Sequence, residues 1–127
     1  MSNKSKKLFD TIETLVGVGT TFTGDIYVTN SLRIDGKIIG NIKNSGGTII
    51  GDKAEIRGNI CTGYIVVCGL VEGNITASEG IELLSKAIVI GDIKTTILSI
   101  NEGAIFKGKS SMFEKEESCS NSNKKEE

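Results

Sequence analysis

Apolar and polar residues alternate along most of the chain, and glycine interrupts the alternation at regular intervals. Gly-Asp/Asn-Ile stands at Gly24-Asp25-Ile26, Gly40-Asn41-Ile42, Gly58-Asn59-Ile60, Gly73-Asn74-Ile75 and Gly91-Asp92-Ile93, and decays to Gly108-Lys109-Ser110. Successive glycines lie 16, 18, 15, 18 and 17 residues apart. Self-similarity at one short period marks a repeat architecture. Two residues before each glycine stand Phe22, Ile38, Ile56, Val71, Val89 and Phe106, all apolar. Four before it stand the small residues Thr20, Gly36, Ala54, Gly69, Ala87 and Ala104. Eight before it stand Val16, Leu32, Ile50, Ile65, Leu83 and Ile100, again apolar. Even offsets share one face of an extended strand, whereas odd offsets face the other way and carry Arg33, Asp35, Lys37, Lys43, Glu55, Arg57, Glu72, Glu82 and Lys94. The pattern is β, apolar inward and charged outward.

A period near 17 residues is too long for one strand and too short for a strand–helix unit. It accommodates three short strands joined by tight corners, with the glycine-Asp/Asn pair as one corner, because both residue types tolerate turn geometry. No single turn can bury its own inner face, so turns must stack in parallel at about 4.8 Å each. The expected fold is all-β: a three-sided β-solenoid of about six turns, roughly 30 Å long. The irregular turn length departs from the strict hexapeptide rhythm of left-handed helices. Parallel crossovers otherwise favour the right hand, so a right-handed parallel β-helix is expected.

Composition divides the 127 residues into three. Residues 1–15 hold Lys4, Lys6 and Lys7, then Leu8, Phe9, Ile12 and Leu15. Residues 16–110 hold all 16 glycines, and residues 111–127 are mostly Ser, Asn, Lys and Glu, the composition of a flexible tail. The net charge of −1 argues against a nucleic-acid partner, whose affinity rests on neutralising phosphates. The chain has no His, which removes the commonest general bases and zinc ligands. Asp25 and Asp92 occupy the same corner four turns apart, nearly 20 Å at about 4.8 Å per turn, too far for paired-carboxylate chemistry. Gly17-Val18-Gly19 and Gly46-Gly47 lack the Lys-Ser/Thr that completes a phosphate loop. β-Helix acyltransferases need the hexapeptide rhythm and usually a His, and no file of Thr-x-Thr marks an ice-binding face. The chain reads as a non-enzyme with no metal and no cofactor. Cys61, Cys68 and Cys119 are an odd number of cysteines without metal-ligand spacing; together with the lack of a long apolar run they read as ordinary thiols of a reducing cytoplasm.

The stretch Leu32-Arg33-Ile34-Asp35-Gly36-Lys37-Ile38-Ile39-Gly40-Asn41-Ile42, then Gly73-Asn74-Ile75-Thr76-Ala77-Ser78-Glu79, Gly91-Asp92-Ile93-Lys94-Thr95 and Glu102-Gly103-Ala104-Ile105-Phe106-Lys107-Gly108, resembles the bactofilins. The resemblance runs from about Leu15 to Ser110, with four segments in order. It implies a bacterial cytoskeletal scaffold whose β-helical core polymerises without nucleotide into non-polar filaments. It also implies an N-terminal segment that reaches the inner face of the cell membrane, and cell-envelope or morphogenesis proteins as partners.

The residues point to polymerisation by a separate route. A solenoid ends in unpaired strand edges and an uncovered apolar column, which must be capped or used. The expected joints are Leu98, Ile100, Ala104 and Phe106 at the C-terminal end and Val16, Val18 and Phe22 at the N-terminal end. Lys4, Lys6, Lys7, Leu8, Phe9 and Ile12 suit a short amphipathic membrane contact, and equally a cap over the first turn. The competing function class is a monomeric solenoid that binds a partner along one flat face.

Overall fold

The computed structural model describes residues 14–112. They form 15 strands, from Thr14–Val16 to Ser110–Met112, and every pairing between them is parallel. A nine-stranded and a six-stranded sheet wrap one core. The coil is clearest as three strips. The first strip stacks Ile26–Val28, the starts of the long strands Ile42–Ile50, Ile60–Val67 and Ile75–Leu83, then Ile93–Thr95 and Ser110–Met112. The second stacks Thr14–Val16, Leu32–Ile34, the ends of the same long strands, and Leu98–Ile100. The third stacks Thr21–Thr23, Lys37–Ile39, Glu55–Arg57, Leu70–Glu72, Ile88–Ile90 and Ile105–Lys107. The six turns expected from the repeat are present.

The repeated glycine corner joins the third strip to the first, and its two residues do different work. The side-chain oxygen of each Asp or Asn accepts a hydrogen bond from the backbone N–H one turn on. Asp25 accepts from Asn41 at 3.1 Å, Asn41 from Asn59, Asn59 from Asn74 and Asn74 from Asp92 at 3.0 Å, and Asp92 from Lys109 at 3.2 Å. Lys109 carries no side-chain acceptor, so the ladder stops there. The glycine is required twice over: Gly58 has φ of 153°, and a Cβ there would run into the carbonyl oxygen of Gly40 on the turn below.

The wandering turn length has a single main source. The corner from the second strip to the third takes four residues at 17–20, 51–54, 84–87 and 101–104, but two at 35–36 and 68–69. The long form closes on itself, as where the Ala54 N–H donates to the Gly51 carbonyl at 3.0 Å. This corrects the register counted back from the glycines. Leu32 pairs with Thr48 and Ile65 with Ile81, whereas Val16, Ile34, Ile50, Val67, Leu83 and Ile100 form the neighbouring column. A two-residue shift leaves both columns inward, because strand side chains alternate. The composition of the core is therefore as expected; its vertical neighbours are not.

The core runs the length of the coil through Ile38, Ile56, Val71 and Val89 on the third strip and Ile42, Ile60, Ile75 and Ile93 on the first. Polar residues also point inward at the bend between the first two strips. Asn44 donates to the Gly47 carbonyl at 2.9 Å and to Thr48 Oγ1 at 3.1 Å, and Thr48 shares a 3.0 Å bond with Thr62. These bonds satisfy the carbonyls left over where the ladder slips a residue between Asn44 and Gly47. Cys61 is disulfide-bonded rather than the ordinary thiol expected, and Cys68 is free and half-buried.

Candidate polymerisation surfaces

Among the described residues, each end of the coil has three strands that are paired on one side. At the N-terminal end these are Thr14–Val16, Thr21–Thr23 and Ile26–Val28; at the C-terminal end, Leu98–Ile100, Ile105–Lys107 and Ser110–Met112. Their outer backbone groups are a template for a further strand. The apolar columns stop there as well. Val16, Ile26 and Val28 pack on the core from one end, and Leu98, Ala104 and Phe106 from the other, all partly buried.

The residues expected at the joints divide by position. Phe22 and Phe106 terminate the same inward column, Phe22-Ile38-Ile56-Val71-Val89-Phe106, so an aromatic residue is its last member at both ends. Phe106 packs on the core, whereas Phe22 is 38% exposed. Val16 and Ile100 likewise end one column of the second strip, and Leu98 ends the other. Val18 does not extend a column. It lies on a four-residue corner at the place taken by Asp52, Ser85 and Glu102 in other turns, and is 67% exposed on the rim. Ile26, the last residue of the first glycine triplet, and Val28 are end residues that counting back from the glycines does not reach. They complete the N-terminal surface on the first strip. Lys4, Lys6, Lys7, Leu8, Phe9 and Ile12 lie outside the described residues.

Charge is sparse on these surfaces. Pairs run along the flanks instead, with Arg57 between Glu55 and Glu72 at 2.9 Å each, and Arg33 on Asp35 at 2.9 Å. Beside Arg33 a groove of about 360 Å³ is lined by Ile49, Asp52, Cys68, Leu84 and Lys86. Burial pushes the Cys68 thiol above its ordinary range, Asp52 adds to the rise, and Arg33 opposes it.

A family model described as Bactofilin, polymer-forming cytoskeletal, matches residues 14–111. The chain belongs to the bactofilin family. It is 33% identical over 103 residues to bactofilin BacO of Myxococcus xanthus, covering 81% of this chain and 82% of BacO. It is 29% identical over 99 residues to BacP of the same organism, covering 78% of this chain but 41% of BacP. A solved structure, the cryo-EM reconstruction of Thermus thermophilus bactofilin double helical filaments, matches with a TM-score of 0.76 at 26% identity, over 80% of this chain and 100% of that one. Membership assigns a structural, polymer-forming role, which suits a coil whose apolar columns, among the described residues, run through all six turns with no further strand beyond either end.

Proposed function

We propose that the chain assembles end to end into filaments that need no nucleotide, and that these filaments serve as a scaffold at the inner face of the cell membrane. The carrying observation is the apolar column that, among the described residues, begins at Phe22 and ends at Phe106 with no further strand paired beyond either. Joining two ends pairs the free strand edges and buries both rings, and buried aromatics dominate many interfaces. Like ends meeting like ends, Phe22 to Phe22 and Phe106 to Phe106, give a filament without polarity. Residues 1–15 supply the membrane contact in this reading, with Lys4, Lys6 and Lys7 each contributing about 1 kcal/mol near anionic headgroups. Many weak anchors on one polymer add up by avidity. Cell-envelope proteins are the clients that such a scaffold would recruit. Electron microscopy of the purified protein without ATP or GTP tests the core of the proposal. Filaments are expected, and a protein that sediments as a monomer at every salt concentration overturns it in favour of a monomeric binding module.

A further inference from the structure

The second strip carries an outward column at its centre: Leu15, Arg33, Ile49, Val66, Glu82 and Ser99, one per turn. Their flanking neighbours point into the core, so these six point out. Elsewhere such positions are open, as at Tyr27 (75% exposed), Ile39 (40%) and Ile90 (39%). Ile49 and Val66 are 1% and 0% exposed, and neither belongs to the inner cluster. Glu82, one turn further on, is 8% exposed, and its partner among the described residues is the Tyr64 hydroxyl at 3.0 Å. A side chain on the outside of a sheet is sealed from water only when something lies over it.

We infer that residues 1–13 dock along this strip, with Leu8 and Phe9 over Ile49, Ile12 one turn below and Lys6 towards Val66. Three observations select this segment. It leaves the described chain at Thr14, at the foot of the same strip. Its length fits: Ile49 and Val66 lie two and three turns above Leu15, about 10 and 14 Å at the interstrand spacing. A helix covers the first distance in about seven residues at about 1.5 Å each, which brings Leu8 and Phe9 level with Ile49, and the second in about nine, which brings the apolar stem of Lys6 level with Val66. Its charge runs the right way, with Asp10 and Glu13 level with Arg33, and Lys4, Lys6 and Lys7 towards the buried Glu82. Residues 113–127 offer one large apolar side chain, Phe113, against three. The docked segment presents to the coil the side chains that a membrane would take. The strip and the bilayer therefore compete for Leu8, Phe9 and Ile12, and docking withholds the anchor.

The chain contains no Trp, so Phe9→Trp makes a single-tryptophan reporter in the full-length protein. The expected result is blue-shifted emission protected from acrylamide, independent of protein concentration. Protection should be lost when Ile49→Lys and Val66→Lys are added. Circular dichroism of the triple variant confirms that the coil is intact, since both positions face outward. Three results overturn the inference: a tryptophan that is water-exposed without the lysines; protection that survives them, which places the segment elsewhere; or protection that appears only as concentration rises, which makes the occupant a second copy. Sedimentation of the same samples reads filament formation separately, so failure of the docking and failure of the polymer reading are distinguishable.

Discussion

Replacing Gly58 by Ala tests whether stacking at the glycine corner holds the coil together. The new Cβ would run into the Gly40 carbonyl oxygen and lie 2.6 Å from its carbon, so the two turns must separate at that corner. The backbone at φ 153° is also one that non-glycine residues rarely adopt. Strain of this kind costs about 1–3 kcal/mol. Separation stretches the bonds between those two turns: Gly40 N–H to the Arg57 carbonyl at 3.0 Å, Ile42 N–H to the Asn59 carbonyl at 2.9 Å, and Asn59 N–H to Asn41 Oδ1 at 3.0 Å. Losing two of them at about 1 kcal/mol apiece brings the total to about 4 kcal/mol, a large share of a domain's usual stability. The assay is urea unfolding followed by circular dichroism at two protein concentrations, because assembly adds concentration-dependent stability. Gly17→Ala is the control, as its added Cβ meets nothing within 4 Å. That variant should unfold like the wild type. If Gly58→Ala also stays within about 1 kcal/mol of the wild type, the corner is not what positions the turns.

Three further outcomes follow from the ends and flanks. Phe106→Arg places a charge that would lose its water at the C-terminal joint without a partner, which costs several kcal/mol. The variant should fold and stop at dimers joined through Phe22, and filaments of normal length would place the joint elsewhere. Removing residues 2–12 should abolish co-sedimentation with anionic vesicles while filaments still form; equal pelleting with and without the segment would exclude it as the anchor. Cys68, held protonated chiefly by burial and next by Asp52, should react with alkylating agents more slowly than an ordinary thiol at mildly alkaline pH, read by peptide mapping. Because its pKa is raised on folding, its contribution to stability is complete below the ordinary thiol range and fades as pH rises through the raised value. Asp52→Asn should speed the reaction, and an unchanged rate would show that the carboxylate plays no part.

The period of two between apolar residues and the period near 17 between glycines dictate a stacked three-strand coil, because nothing else buries those columns. The glycine corner was legible for the same reason: one pair of residue types recurs where one backbone geometry recurs. The register on the second strip was not legible. Corners of two and four residues are mixed along the coil, and only pairing in space shows that Leu32 sits beside Thr48 and Ile34 beside Ile50. Asn44, Thr48 and Thr62 could not be identified as inward from their chemistry, because polar side chains normally face out. Their partners are backbone and hydroxyl groups brought together by the bend. The ends of the inward columns were partly legible. Phe22 and Phe106 end a column that counting from glycine reveals, whereas Val18 matched by residue type and lies on the rim. Ile49 and Val66 are the clearest case of what only the tertiary structure decided. Their position in the strand points them outward, their burial shows them covered, and no local pattern encodes what lies above a sheet.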